Sequence, residues 1–215
     1  MKTIFRIIFP VLFATLTLGA CSENVDEEHE FANWEPQNTA FFKQKLSAAK
    51  DSIAQAKSKY GEDWEKHCSW RVLRSYAQLA TSKGKATDSI CVRIIEKGTG
   101  SGCPIYTDSV QVNYIGRLMP SASYPEGKVF DHSGPTILPE DVFHPSFAQP
   151  TALLVSNTVE GFSTALQNMH IGDRWEVYIP YQLGYSSAST GSLPAYSTLV
   201  FDMQLKAYCK VGSSF

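Results

Sequence analysis

The feature that most constrains the fold is a period-two alternation of apolar residues in the second half of the chain. It occurs in four segments, at residues 90–94, 110–114, 175–179 and 198–205. Such alternation is typical of strands with one buried face. Between the second and third segments, residues 159–169 place Val159, Phe162, Leu166 and Met169 on one stripe at helical spacing. The sequence therefore predicts an α+β domain in which an antiparallel sheet curls over one short helix.

The first twenty residues have the pattern of a secretory signal. Lys2 and Arg6 precede an apolar run at 7–18, which is too short to span a membrane. The following Leu-Gly-Ala-Cys at 18–21 resembles the lipobox of bacterial lipoproteins, in which the cysteine becomes the lipidated first residue. We therefore expect residues 1–20 to be removed and Cys21 to anchor the protein to the outer membrane of a bacterial cell envelope.

Residues 21–37 are rich in acidic side chains and poor in apolar ones, which predicts a solvated tether between lipid and domain. An acidic stretch directly after a lipidated cysteine is also similar to the surface-export signal of some Gram-negative lipoproteins. The periplasmic side of the membrane and the cell surface are therefore both retained as locations.

A helical extension is predicted at residues 38–86, before an 87–210 domain. Apolar residues recur at steps of three and four from Phe42 to Tyr60, which predicts an amphipathic helix ending at Gly61. The apolar seam covers fewer heptads than a coiled coil requires, so docking on the protein's own domain is favoured over a homodimer through this helix. Residues 62–82 fit a helix or a strand equally well.

Charge and cysteine content exclude several classes of function. The net charge is −2 and no basic stripe is present, so nucleic-acid binding is not expected. Once Cys21 carries lipid, four cysteines remain, and all three of their pairings are open. These four are Cys68, Cys91, Cys103 and Cys209. Because no paired CxxC is present, we predict no metal site, and nothing in the sequence calls for a cofactor.

Two short echoes, Val-Phe-Asp at 129–131 and again at 200–202, point to a family. Together with the segments between them, they resemble FKBP-type peptidyl-prolyl isomerases in order and spacing, over residues 88–208. The resemblance implies a half-wrapped sheet and central helix enclosing an apolar cleft for a proline ring. The positions that match the family's pocket are Tyr114, Phe130, Asp131, Val159, Phe162, Tyr185, Leu193 and Phe201.

The resemblance implies a peptidyl-prolyl cis-trans isomerase that assists the folding of exported, proline-containing polypeptides. Asp131, Tyr185 and Phe130 are then the catalytic candidates. The substrate-binding candidates are Tyr114, Val159, Phe162, Leu193 and Phe201. In the second echo, Asp202 lies on the alternate face of its strand, so we expect it to point away from the cleft and be structural.

The chain also departs from the family pattern. Phe162 replaces a tryptophan, Ser186 replaces a glycine, and the loop at 193–195 has one proline where two are usual. Insertions around 119–126 and 134–149 are expected near the cleft mouth, where Phe143, His144 and Phe147 would form a rim or a packed lid. These departures favour the alternative, a non-catalytic peptide-binding module or chaperone. A purely structural envelope component is a third hypothesis.

Overall fold

The computed structural model describes residues 27–78, 84–134, 149–191 and 193–215. The predicted signal at 1–20, the lipidation site Cys21 and most of the second insertion lie outside these ranges. In the described parts of the chain, no helix has the length and apolar character that a membrane span requires. Within the same ranges, no three His, Cys, Asp or Glu residues group in a way that would hold a metal ion.

A single antiparallel sheet organises the molecule. The helices in the described ranges are α1 (Glu27–Glu30), α2 (Trp34–Tyr60), α3 (Trp64–His67) and α4 (Glu160–Leu166). The strands are β1 (Trp70–Arg74), β2 (Ser89–Glu96), β3 (Ser109–Arg117), β4 (Val129–His132), β5 (Thr151–Leu154), β6 (Arg174–Ile179) and β7 (Leu199–Cys209). Their order is β1-β2-β6-β7-β3-β4, with β5 also paired to β3. The predicted α+β architecture, with its sheet, short helix and helical extension, is confirmed.

The inner face of the sheet packs against α4 to form the main core. The period-two alternation directs one side chain in two toward the helix. The inner-face residues that are completely buried include Ile90, Val92, Val110, Val112, Val177, Ile179, Met203 and Leu205. Gly161 permits the close approach, because a Cβ there would lie 2.3 Å from Cγ2 of Ile179. Each fully buried side chain of this kind contributes about 1.5–3 kcal/mol.

Helix α2 packs on the outer face of the same sheet. Phe42, Leu46 and Ala49 form a second core with Cys91 and Tyr178, whose side chains point outward from β2 and β6. These helix positions are the seam that the sequence predicted would dock on the protein's own domain. The helix ends at Gly61, as predicted, where the backbone has φ +55°.

The start of α2 differs from the prediction. The helix begins at Trp34, one turn before residue 38, and Trp34 is buried with its indole N–H donating to Ser197 Oγ at 2.8 Å. The Asn38 side chain accepts the Thr198 backbone N–H at 2.7 Å. Residues 34–37 are therefore docked on the domain instead of forming the end of a solvated tether, because Trp34 and Asn38 both find buried partners.

The predicted extension also contributes a strand. β1 pairs antiparallel with β2, with Trp70 opposite Arg93 and Arg74 opposite Ser89. The sheet therefore begins before residue 87, where the sequence analysis placed the start of the domain. Of the ambiguous segment 62–82, residues 79–82 lie outside the described residues, and the described part includes the short helix α3 followed by this strand. Pairing with β2 satisfies backbone groups that a lone extended segment leaves free.

All four cysteines after Cys21 are free thiols in the structure. Cys68 and Cys91 are buried, whereas Cys103 and Cys209 are partly exposed. Burial raises the pKa of the Cys91 thiol to about 12. Since the thiolate is the reactive form, Cys91 behaves as a small apolar side chain beneath α2.

Candidate active site

Four aromatic rings meet on the inner face of the sheet. The ring centroids of Phe162 and Phe201 are 4.9 Å apart, and those of Phe130 and Phe201 are 5.5 Å apart. Tyr114 lies 5.5 Å from Phe162 and 6.0 Å from Phe201. All four contacts are edge-to-face, an arrangement worth about 0.5–1.5 kcal/mol per pair beyond burial. Strands β3, β4 and β7 and helix α4 thus each supply one ring to a single apolar cluster.

Gly116 allows two of these rings to meet. On β3 it stands opposite both Asp131 on β4 and Phe201 on β7. A Cβ at this position would lie 2.6 Å from Phe201 Cε1 and 2.7 Å from Phe130 Cζ. No role for Gly116 in the site was predicted from the sequence. The available signal was an isolated glycine within a strand pattern, which often marks a close approach.

Asp131 and Tyr114 form the polar edge of the cluster. The Tyr114 hydroxyl donates to Asp131 Oδ2 at 2.9 Å, and the His132 backbone N–H donates to Oδ1 at 2.9 Å. Burial, together with the Asp131 carboxylate, raises the pKa of the Tyr114 phenol. The phenol therefore stays protonated at neutral pH and serves as an oriented donor and dipole, with no proton transfer required.

Tyr185 lies at the exposed edge of the same site. Its side chain is 38% exposed, and its pKa is raised by partial burial and by the charge of Asp131. Ser186, which replaces the family's glycine, adopts the left-handed backbone conformation with φ +55°. The glycine-like turn after Tyr185 is therefore retained at some cost in backbone strain.

Val159 and Leu193 complete the set of predicted site residues. Val159 is the N-cap residue of α4 and is partly buried against the main core. Its C=O accepts the Ser163 N–H at 3.0 Å, while its own N–H has no partner among the described residues. Leu193 is 3% exposed and packs within the main core. It therefore supports the site residues by packing behind them and does not line an open surface.

The first insertion does not lie where the sequence analysis expected it. Met119 is buried in the main core, whereas Pro120 and residues 123–126 line a groove on the outer side of the sheet together with Arg174 and Asp202. The Ser123 backbone N–H and hydroxyl both donate to the Glu30 carboxylate, at 2.9 and 2.8 Å. This contact with α1 holds the insertion on the outer face. The second insertion, with Phe143, His144 and Phe147, lies outside the described residues.

In the second Val-Phe-Asp segment, the side chains of Phe201 and Asp202 point to opposite faces of the sheet. Phe201 joins the aromatic cluster, whereas Asp202 points outward and binds Arg174 with two hydrogen bonds of 2.9 and 2.7 Å. The predicted structural role of Asp202 agrees with this ion pair, which also raises the pKa of Arg174.

Comparison with known proteins shows what residues 103–206 are similar to. Residues 103–206 match the family model described as FKBP-type peptidyl-prolyl cis-trans isomerase. The chain is 34% identical over 114 residues to the FKBP-type 22 kDa peptidyl-prolyl cis-trans isomerase of Escherichia coli, which covers 53% of this chain and 47% of that protein. It is 32% identical over 114 residues to the outer membrane protein MIP of Legionella longbeachae, covering 53% of this chain and 41% of that protein.

Among solved structures, a peptidyl-prolyl cis-trans isomerase from Pseudomonas syringae matches with a TM-score of 0.46 and 26% identity, covering 78% of this chain and 96% of that one. The chain spans about half the length of the curated relatives it matches. The matched residues include strands β3 to β6, helix α4 and most of β7, which together carry the aromatic cluster. Residues 103–206, which carry the aromatic cluster, are therefore similar to the FKBP-type peptidyl-prolyl cis-trans isomerase domain.

Proposed function

We propose that this protein is a peptidyl-prolyl cis-trans isomerase that assists the folding of exported proteins. The observation that carries the proposal is the convergence of Phe130, Phe162 and Phe201 beside the Tyr114–Asp131 hydrogen bond, within a domain similar to that of this family. An aromatic cleft with one polar edge suits a proline ring and its preceding amide. Its substrates are proline-containing polypeptides.

The reaction needs no nucleophile. Rotation about an X-Pro bond faces a barrier of about 18–20 kcal/mol that arises from amide resonance, whereas the cis and trans forms differ by only about 0.5–1 kcal/mol. Catalysis therefore requires that the twisted amide bind more tightly than either planar form. The planar amide is the more charge-separated form, so an apolar aromatic cleft solvates it less well and favours the twisted state.

The polar groups at the edge fix which part of the substrate rotates. In our proposal, the Val159 N–H and the Tyr185 hydroxyl donate to two substrate carbonyls and hold the chain on one side of the bond. Asp131 orients the Tyr114 hydroxyl and places a carboxylate dipole beside the rotating carbonyl. Phe130, Phe162 and Phe201 hold the proline ring, and Leu193 supports them.

A protease-free isomerisation assay on the purified protein tests this function. The wild type is expected to accelerate isomerisation of an Ala-Pro peptide, Phe130→Ala to lose at least about tenfold in kcat/KM, and Tyr185→Phe to lose a smaller factor. Tyr60→Phe, on α2 and distant from the cluster, is the matched control. Equal rates for the wild type, Phe130→Ala and buffer alone would refute the enzyme proposal.

A non-catalytic peptide-binding module is the second candidate. It is favoured by Phe162, which supplies less ring area than the family's tryptophan and no indole donor, and by Ser186 in its strained conformation. This candidate predicts that proline peptides bind with an affinity that Phe130→Ala weakens, while the isomerisation rate stays at the uncatalysed value. Fluorescence anisotropy of a labelled peptide, measured beside the rate assay, separates the two candidates.

We further propose that the mature protein is lipid-anchored to the outer membrane through Cys21. Support comes from the Leu-Gly-Ala-Cys sequence and from the relative named outer membrane protein MIP. In this proposal, the tether is the segment between Cys21 and α1, because Glu30 of α1 already binds Ser123 of the domain. The Cys21→Ser variant should be found outside the membrane fraction. In cells grown with radiolabelled palmitate, the wild type should carry the label and Cys21→Ser should not, which would verify the anchor. Protease shaving of intact cells distinguishes the cell surface from the periplasmic side.

We propose that the protein is a monomer, because the apolar side of α2 is already buried against the outer face of its own sheet. Sedimentation equilibrium of the mature protein tests this, and a dimer mass at micromolar concentration would overturn it.

A further inference from the structure

A second cavity lies beside α4 and is distinct from the aromatic cluster. Its volume is about 420 Å³, within the range of about 300–1,000 Å³ that is typical of ligand pockets. It is bounded by the turn after β1, the turn before β3 and the outer side of α4. The lining residues that matter for its chemistry are Ser75, Tyr76, Tyr106, Thr158, Glu160 and Gln167.

The cavity and the aromatic cluster share one short helix. Phe162 and Leu166 point from α4 into the main core, whereas Glu160, Ser163 and Gln167 line the cavity. Val159, whose N–H has no partner in the described ranges and is assigned here to a substrate carbonyl, lies between Thr158 and Glu160, which both line the cavity. When a polypeptide is held at Val159, the residues that flank its proline can therefore reach the cavity.

The cavity presents groups that attract a cation. Tyr76 and Tyr106 are 48% and 55% exposed, which is unusual for two large rings that border one cavity. The Glu160 carboxylate accepts a hydrogen bond from Ser75 through Oε1, and its Oε2 has no partner among the described residues. Because Ser75 is fully buried, the carboxylate is held in place. Among the residues that the structure describes, no lysine, arginine or histidine lines the cavity.

We propose that this cavity is an accessory subsite for the client polypeptide and that it selects a lysine or arginine near the isomerised proline. The cation pairs with Glu160, and its aliphatic stem and charge lie against the rings of Tyr76 and Tyr106, as cations do in aromatic cages. Ser75 is a positioning residue, because it acts by orienting the carboxylate. The inference rests on the proposed function in that the client is held at Val159.

The test uses labelled peptides with one central Ala-Pro bond and one guest residue placed in turn at each flanking position. The guests are lysine, its uncharged analogue norleucine, and glutamate. At one or more positions we expect lysine to bind about tenfold more tightly than norleucine, and glutamate more weakly, by fluorescence anisotropy. The preference should fall as salt rises, because the pair is partly exposed.

Matched variants assign the preference to the cavity. Glu160→Gln and Tyr106→Ala are each expected to remove most of the lysine-to-norleucine ratio, whereas Tyr106→Phe, which keeps the ring, and Tyr60→Ala, an exposed tyrosine elsewhere, should retain it. Circular dichroism confirms that each variant is folded. Equal binding of lysine and norleucine at every position, or an unchanged ratio in Glu160→Gln, would overturn the proposal.

Isomerisation rates are measured on the same peptides, which separates this inference from the proposed function. A lysine preference in binding without any rate acceleration supports the subsite and rejects the enzyme. Rate acceleration without a lysine preference supports the enzyme and rejects the subsite.

Discussion

The two Val-Phe-Asp segments have the same sequence and different surroundings. In the first, on β4, Phe130 is partly buried and Asp131 is exposed, hydrogen-bonded to Tyr114. In the second, on β7, Phe201 is 4% exposed and Asp202 forms an ion pair with Arg174. β7 lies between β6 and β3, whereas β4 pairs with β3 alone among the described strands.

This difference follows from position in the sheet. A central strand has neighbours on both sides, so its inner side chain is enclosed and its outer side chain finds cross-strand partners. At an edge strand one side stays open, so the same residues remain accessible to a ligand. The first segment is therefore suited mainly to binding. The second is suited mainly to stability, through the Asp202 ion pair and the buried ring of Phe201, which also borders the proposed cleft. Substitutions at matched positions test that division.

The largest expected effect is on stability at Phe201. Phe201→Ala removes a buried ring that contacts three other rings and should lower the free energy of unfolding by about 3–5 kcal/mol. Phe130→Ala, at the partly buried matched position, should cost no more than about half of that. Urea denaturation of both variants measures the difference. Equal losses would break the distinction between the centre and the edge of the sheet.

The aspartates should differ in the same direction with a smaller effect. Asp202→Asn breaks the bidentate ion pair with Arg174 and is expected to cost about 1.5–3 kcal/mol of stability, with little change in peptide affinity. Asp131→Asn should cost less than about 1 kcal/mol, because the carboxylate is exposed, and should weaken peptide binding and isomerisation. A reversed pattern, with peptide affinity sensitive only to Asp202, would contradict the assignment.

Gly116 tests how closely the two phenylalanines must approach. Gly116→Ala places a Cβ within 2.7 Å of both rings and should cost about 1–3 kcal/mol through overpacking. In the background of Phe130→Ala, one of the two clashes is gone, so the additional cost of Gly116→Ala should be smaller. Strict additivity in this double-mutant cycle would show that the rings do not compete for the space above Gly116.

The smallest effect is expected in the alkaline pH dependence. Because burial and Asp131 raise the pKa of Tyr114, the folded state holds this proton more tightly than the unfolded state does. The resulting stability is fully present below the unfolded pKa of about 10 and is lost as pH rises through the folded pKa. Tyr114→Phe should therefore reduce the loss of stability above about pH 10.

Tyr178 on the outer face offers a matched comparison for that pH dependence. Its pKa is also raised, by burial and by the hydrogen bond to Glu176. Tyr178→Phe should reduce the alkaline loss to a similar degree without changing peptide binding, whereas Tyr114→Phe should change both. Alkaline denaturation curves of the two variants that coincide with the wild type would refute the assigned shifts.

Strands β2, β3, β6 and β7 were predictable from the sequence because their signal is local. Alternation within β2, β3, β6 and β7 does not depend on which strand lies next to it, and the stripe from Phe162 to Leu166 likewise marks α4. β1 was not separable from a helix, since Trp70–Arg74 becomes a strand only by pairing with β2. The start of α2 was missed because Trp34 is anchored by Ser197, which lies 163 residues away.

The sequence by itself determined the alternation, the short central helix, the amphipathic helix before the domain, and the order of residues that resemble the FKBP-type pocket. Only the tertiary structure decided which face of the sheet α2 covers, that Gly116 lies beneath two rings, and that Asp131 and Asp202 have different partners. It alone also revealed the cavity in which Ser75 holds Glu160, 85 residues further along the chain. The reason is physical: periodicity is set by the geometry of each segment, whereas these contacts join distant residues and exist only once the chain has packed.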